Sequence, residues 1–139
     1  MTEGAVPRFW REIPQRYNLI ANQCGSCNKV YFPPREVCPY CRRESMGKMK
    51  ELKLKGTGTV ITYTIIYTAP ESFIGQVPYP IAIIELDEGP KITAQIVDCE
   101  IDDVKIGMKV KSTFRKIQED GYIGAIHYGY KFKPLEVKK

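Results

Sequence analysis

The sequence has no long uncharged apolar run. Its longest stretch without a charged residue, residues 56–70, is broken by glycine and threonine. A transmembrane helix needs about 20 consecutive, mostly apolar residues, so no membrane span is predicted. The first residues also lack the apolar core and cleavage site of a signal peptide, which makes a cytoplasmic location the expectation. Disulfides are rare in that compartment, so the five cysteines need another explanation.

Groups that could perform catalysis are also scarce. The only histidine, His127, is accompanied by no Gly-x-Ser-x-Gly nucleophile motif and no second cluster of metal ligands. Cys99 lies between Asp98 and Glu100, and acidic neighbours raise the pKa of a thiol rather than lower it. We therefore predict that the chain has no catalytic residues and is not an enzyme.

Basic charge is concentrated in the first part of the chain. The formal net charge is +5, but eleven basic and five acidic residues lie in 1–55, against ten and eleven in 56–139. Four of the five cysteines lie in the same first part. Four thiolates around one Zn²⁺ would carry a charge of −2, so part of the basic excess is local compensation.

Those four cysteines form two C-x2-C pairs, Cys24 with Cys27 and Cys38 with Cys41. Such a pair places two sulfurs on one side of a tight turn, and two pairs complete a tetrahedral site. The intervening residues 30–37 read as a short extended arm with a Pro-Pro turn. We predict a zinc ribbon that holds structural Zn²⁺.

Alternatives to structural zinc are weaker. A redox C-x2-C pair would be expected in a thioredoxin-like βαβ unit, which the sequence lacks, and a catalytic zinc would keep one ligand position open. Bound iron remains open. The residues that follow the two turns differ: Asn28 tolerates a left-handed backbone, whereas Arg42 is less suited to one.

Residues 7–22 predict a short N-terminal helix. Pro7 suits a helix start, Phe9, Ile13 and Tyr17 recur at helical spacing, and Pro14 is expected to cut the helix short. A helix of one or two turns is unstable alone and must pack against the rest of the protein. Its aromatic side chains either cover the protein's own core or remain exposed for a partner.

Residues 51–134 read as strands throughout, at 56–67, 80–86, 91–97, 106–117 and 122–132, with a hairpin turn at 87–90. Five antiparallel strands without a long amphipathic helix predict a barrel of OB type, with a small sandwich as the alternative. The predicted organisation is mainly β: an N-terminal helical segment (1–22), a zinc ribbon (23–47) and a five-stranded OB-fold (48–139).

Several pieces in this order resemble the DUF35 family. They are Phe9-Trp10, the cysteine ribbon with its Pro-Pro-Arg segment (33–35), Gly-Thr-Gly (56–58), Leu-Asp-Glu-Gly (86–89) and Ile-Gly-Met-Lys-Val (106–110). Members of that family join a rubredoxin-like zinc ribbon to an OB-fold. The resemblance covers nearly the whole chain.

The resemblance implies a non-catalytic, acyl-CoA-binding accessory or scaffold subunit. Its partner would be a thiolase-like enzyme, of the acetoacetyl-CoA thiolase or hydroxymethylglutaryl-CoA synthase type, whose CoA thioester site it helps to form. CoA offers phosphates to basic side chains and an apolar arm to a groove. The candidate ligand contacts are Phe9, Trp10, Arg11, Arg35, Tyr67, Phe73 and Tyr79.

Binding of single-stranded nucleic acid is the alternative function, by analogy with other zinc ribbons and OB-folds. It requires stacking aromatic residues and cations together on the groove face, usually on strands two and three. The corresponding strands, 81–86 and 91–97, hold no aromatic residue and one basic residue, Lys91. Nucleic acid is therefore a disfavoured partner, although the aromatic residues of 122–132 could form a different stacking surface.

Overall fold

The computed structural model describes residues 6–136. Two short helices, α1 (Val6–Arg11) and α2 (Ile13–Asn18), precede eight strands. The strands are β1 (Ile20–Cys24), β2 (Val30–Tyr31), β3 (Met49–Lys53), β4 (Thr57–Ile66), β5 (Tyr79–Leu86), β6 (Lys91–Gln95), β7 (Lys109–Glu119) and β8 (Ile126–Pro134). Short 3₁₀ turns occupy Arg42–Ser45, Glu71–Gln76 and Ile101–Asp103. No helix in this part of the chain is both long and apolar enough to cross a bilayer.

The helical segment differs in detail from its prediction. The first helix ends at Arg11, and Pro14 lies in the first turn of the second helix rather than ending the segment. A first-turn proline costs little there, because that position has no intrahelical N–H bond to lose. Leu19, with φ of 51°, ends α2 in the left-handed conformation and turns the chain into β1.

The ribbon is a three-stranded antiparallel sheet in the order β2-β1-β3. The central strand, β1, pairs with β2 through Asn22 and Tyr31 and with β3 through Ala21 and Leu52. The predicted boundary between residues 47 and 48 stays a prediction. Pairing of β3 with β1 carries the ribbon sheet as far as Lys53.

The second sheet has five antiparallel strands in the order β6-β5-β4-β7-β8. Irregular pairing between Val60 and Thr62 of β4 accommodates curvature. A parallel bridge between Ile96 and Phe132 joins the two ends of the sheet, and the Val97 N–H donates to the Phe132 carbonyl at 2.7 Å. The predicted mainly β fold, with a zinc ribbon followed by a five-stranded OB-fold, is confirmed.

One hydrophobic core serves both sheets. The barrel contributes Phe132, Ile84 and Val60, each at most 1% exposed, while Leu19 and Ala21 enter the same cluster from the ribbon side. The Leu54 N–H also donates to the Leu19 carbonyl at 3.0 Å. The position of the ribbon and the helices is therefore tied to the packing of the barrel.

Gly58 has a steric role in this packing. It lies in β4 between β5 and β7, and a Cβ atom there would lie 2.6 Å from the Glu85 carbonyl oxygen. A backbone atom inside a sheet cannot move away cheaply. We expect Gly58→Ala to lower the free energy of unfolding by about 1–3 kcal/mol, the usual cost of overpacking.

Urea denaturation followed by circular dichroism measures this loss. Gly75→Ala is the matched control, since a Cβ there meets nothing within 4 Å, and we expect its free energy of unfolding to stay within about 0.5 kcal/mol of wild type. Equal stability of the two variants would contradict the close approach of β4 and β5.

Candidate functional site

The four predicted metal ligands come together at one end of the ribbon. Every pair among the sulfurs of Cys24, Cys27, Cys38 and Cys41 lies within 4.8 Å, and those of Cys27 and Cys38 are 3.6 Å apart. Zn–S bonds of about 2.3 Å in a tetrahedron would place sulfurs about 3.8 Å apart. The donor set and its spacing fit a closed zinc site with no open position.

The two turns that carry the sulfurs have the same backbone geometry. The Asn28 N–H donates to the Cys24 carbonyl, and the Arg42 N–H donates to the Cys38 carbonyl, both at 2.9 Å. Asn28 has φ of 60° and Arg42 φ of 49°. The left-handed conformation expected after each pair is present in both, including at Arg42, where it is less favourable for the residue type.

Backbone and side-chain hydrogen bonds support the second turn. Fully buried Ser45 accepts from the Cys38 N–H at 2.9 Å and donates to the Arg42 carbonyl at 2.6 Å. The Tyr31 hydroxyl lies 3.2 Å from the Cys38 sulfur. Residues of β2 and of the following 3₁₀ turn therefore fix the orientation of Cys38.

The pKa values of the Cys38 and Cys41 thiols are shifted in opposite directions. Burial opposes the charged form of Cys38, but hydrogen bonds from the Tyr31 hydroxyl and from the Cys41 and Tyr40 N–H groups outweigh it and lower its pKa to about 6. The pKa of Cys41 is raised to about 12 by its hydrogen bond with Cys27 and by burial. Neighbouring thiolates repel one another, and a divalent cation at their centre would remove that repulsion.

Three of the predicted ligand contacts meet at a cavity of about 450 Å³. Phe9 of α1, Phe73 of the long connection before β5, and Tyr79 of β5 line it. The remaining lining residues are Arg16, Pro70, Ile81, Thr93, Ala94, Gln95, Ile117, Gln118, His127, Tyr128, Gly129, Tyr130 and Lys131. The volume and the mainly apolar wall are typical of a small-molecule site.

The other predicted contacts lie outside this lining. Trp10 and Tyr67 are 77% and 70% exposed, and Arg11 and Arg35 do not line the cavity. Arg35 remains on the ribbon, with its guanidinium 5.6 Å from the centre of the Tyr31 ring. The structure thus separates the predicted contacts into a cavity group and an exposed group.

Phe9 and Trp10 each support one of the two interpretations of the aromatic helix, as cover for the protein's own core and as an exposed contact for a partner. The Phe9 ring stacks on His127 with centroids 3.9 Å apart, and the Arg16 guanidinium lies 4.3 Å from the centre of the Phe9 ring. His127 is buried and pairs with Asp120 at 3.1 Å. Phe9 therefore forms part of the protein's own packing, whereas Trp10 is available to a partner.

Sequence reasoning missed the polar end of the cavity. Lys131 is 6% exposed, and its ammonium donates to the Gln76 side-chain oxygen at 3.2 Å. Gln95 donates to the same oxygen at 3.3 Å. The position of Lys131 between Tyr130 and Phe132 is the only local signal, and that pattern is equally typical of a solvent-facing lysine.

A larger cavity, of about 900 Å³, lies around Cys99. Burial raises the pKa of the Cys99 thiol, and Asp103, Asp98 and Glu100 raise it further. The expected effect of the acidic surroundings is confirmed, and it disfavours the nucleophilic thiolate.

Comparison with known proteins identifies the family. Residues 11–47 match the family model of the ChsH2 rubredoxin-like zinc ribbon domain, and residues 51–115 match that of the ChsH2 C-terminal OB-fold domain. A Methanocaldococcus jannaschii protein named "DUF35 domain-containing scaffold protein" is 56% identical over 136 residues, 98% of this chain and 95% of the relative. The chain belongs to the DUF35 family. The structural zinc predicted from the cysteines is confirmed by the ribbon match together with the clustered sulfurs.

Two further similarities involve subunits of larger systems. The solved structure of the Ltp2-ChsH2(DUF35) aldolase contains a chain that matches this DUF35 protein with a TM-score of 0.71 and 26% identity, covering 93% of this chain and 94% of the other. A Thermomonospora curvata protein named "Probable enoyl-CoA hydratase alpha subunit" is 29% identical over 102 residues, which are 73% of this chain and 31% of that relative.

Cys38→Ser tests the metal site. Because a closed site loses one of its four strong ligands, we expect the purified variant to hold well below one zinc per chain and the ribbon to lose order while the barrel strands persist. Zinc released to a chromogenic chelator, together with circular dichroism, measures both effects. Cys99→Ser, which removes a cysteine outside the cluster, should retain its zinc; full zinc content in Cys38→Ser would be the contrary result.

Proposed function

We propose that this DUF35 protein is a non-catalytic scaffold subunit that binds a thiolase-like enzyme and contributes to the site of its CoA thioester. The observation that carries the proposal is the cavity that brings Phe9 of α1 together with Phe73 and Tyr79 from the region at the start of β5. The scaffold role is supported by the name of the M. jannaschii relative, and the association with an enzyme by the aldolase complex.

The cavity has the chemistry of an acyl-group site. Its aromatic and aliphatic wall includes Phe73 and Tyr79, whose ring centres are 5.8 Å apart, and Ile81 of β5. Burial of apolar atoms there would stabilise an acyl chain by about 25 cal/mol per Å² of buried area. Arg16 at the wall is paired with Glu12 and would share its guanidinium with polar parts of a CoA ester.

The exposed face of α1 supplies the surface for the partner enzyme. Trp10 is 77% exposed and Val6 61%, on the same short helix whose Phe9 lines the cavity. Exposed tryptophan is over-represented among the residues that dominate protein–protein binding energy. A partner bound at Trp10 would therefore lie beside the cavity, where the two proteins can share one ligand.

The metal site has a positioning role in this proposal. The thiolates of Cys24, Cys27, Cys38 and Cys41 are its zinc ligands, and Cys24 is the last residue of β1. When bound, zinc supplies a fixed link between the two turns and performs no chemistry on a substrate. Because β1 follows α2 directly, order in the ribbon sets where the helices lie against the barrel.

Ligand binding is tested with pentanoyl-CoA and the purified protein by isothermal titration calorimetry. Loss of an aromatic wall residue removes about 1.5–3 kcal/mol of apolar burial, so we expect Phe73→Ala to weaken binding by about tenfold or more. Tyr67→Ala is the matched control, because Tyr67 is 70% exposed and outside the lining. Equal loss in both variants would place the ligand elsewhere.

Partner binding is tested by affinity capture from extract of the source organism, with mass spectrometry of the retained proteins. We expect wild type to retain a thiolase-like enzyme and Trp10→Ala to bind it about 30-fold more weakly, the effect of losing about 2 kcal/mol at a dominant contact. Ile106→Ala, which alters an exposed residue of a different surface, should bind as wild type does. Retention of nucleic-acid-binding complexes instead would favour the alternative function.

A further inference from the structure

Lys131 is a buried cation without an acidic partner among the described residues. It is 6% exposed, its ammonium donates to the neutral side chain of Gln76, and no salt bridge in residues 6–136 includes it. A buried charge is costly unless it is paired. An unpaired cation on the wall of a cavity gains a partner when an anionic ligand binds there.

The residues around Lys131 also favour a negatively charged ligand. Arg16 also lines the cavity, where it is paired with Glu12, and none of the described lining residues is acidic. Burial lowers the pKa of the Lys131 ammonium, and the positive charge of Arg115 lowers it further, although Arg115 itself pairs with Asp98 at 2.8 Å. A bound anion would oppose both effects.

Donors at this end of the cavity converge on one oxygen. Lys131 and Gln95 both line the cavity, and both donate to the Gln76 side-chain oxygen, at 3.2 and 3.3 Å. That oxygen belongs to a neutral amide in the Glu71–Gln76 turn. A carboxylate reaching the same donors would form charge-assisted hydrogen bonds in place of these longer, neutral-acceptor bonds.

We infer that Lys131 and Gln95 form a carboxylate-binding end of this cavity, so that its ligand is a short-chain carboxylate with an apolar body. The inference rests on the proposed function in taking the cavity as the ligand site, and it deepens that function by naming the group that is recognised. The carboxylate can belong to a free acid or to the far end of an acyl chain on CoA.

Pentanoate and pentanol separate charge recognition from apolar burial, because their chains have equal length. By calorimetric titration of the full chain, we expect wild type to bind pentanoate at least about tenfold more tightly than pentanol, since hydrogen bonds to charged groups are the stronger class. Lys131→Met should abolish this preference by weakening pentanoate binding to the level of pentanol binding. Lys111→Met, which removes an exposed lysine from the neighbouring strand, should keep it.

Two further measurements keep the test decisive. Lys131→Arg retains the positive charge and should retain the preference for pentanoate, and thermal unfolding of Lys131→Met should show no loss of stability, because the variant removes an unpaired buried charge. Equal affinity of wild type for pentanoate and pentanol, or an undiminished preference in Lys131→Met, would overturn the inference.

The source of the carboxylate is distinguished with glutaryl-CoA and pentanoyl-CoA, which differ in a terminal carboxylate. Tighter binding of glutaryl-CoA that depends on Lys131 supports a carboxylate-ended acyl chain, whereas a preference confined to the free acids supports a free carboxylate. Pentanoyl-CoA binding that depends on Phe73, with no preference for carboxylates, would end this inference and leave the proposed function standing. Pentanoate binding without any binding of CoA esters would contradict the proposed function and leave this inference standing.

Discussion

The gathering of four sulfurs at one end of the ribbon is the constraint on which the position of the ribbon and the helices depends. The ribbon sheet is small, and its outer strand β2 has two residues, so apolar burial alone gives it little stability. A metal that holds the two turns together fixes β1, and β1 continues from α2. Through Leu19 and Ala21 the same segment enters the core of the barrel. The ribbon and the helices are therefore held in a fixed position against the barrel.

The features that local chemistry determines could be predicted from the sequence. Two C-x2-C pairs specify the sulfur cluster, the glycine and β-branched pattern specifies the strands, and the 87–90 turn specifies the hairpin of β5 and β6. Gly58, within the Gly-Thr-Gly motif, proves to be a point where β4 and β5 lie too close together to admit a Cβ atom. In each case the signal lies within a few residues of the structure that it produces.

The site could be predicted only in part, because its walls come from distant segments. Phe9, Phe73 and Tyr79 were among the candidate contacts named with the family resemblance, whereas Lys131 gave no usable signal. Alternation of apolar and polar residues predicts which face of a strand is buried only when the other face is open to solvent. At β8 the core covers one face and the helices approach the other, so Tyr130, Lys131 and Phe132 are all largely shielded.

Closure of the barrel by the bridge between Ile96 and Phe132 has a consequence for how the chain behaves at high concentration. An open five-stranded sheet would leave the unpaired backbone groups of β6 and β8 free to recruit strands from other molecules. Here the Val97 amide is satisfied within the chain. The closing bridge thus protects the barrel sheet against edge-to-edge association, so that the barrel contacts other molecules through side chains rather than through backbone groups.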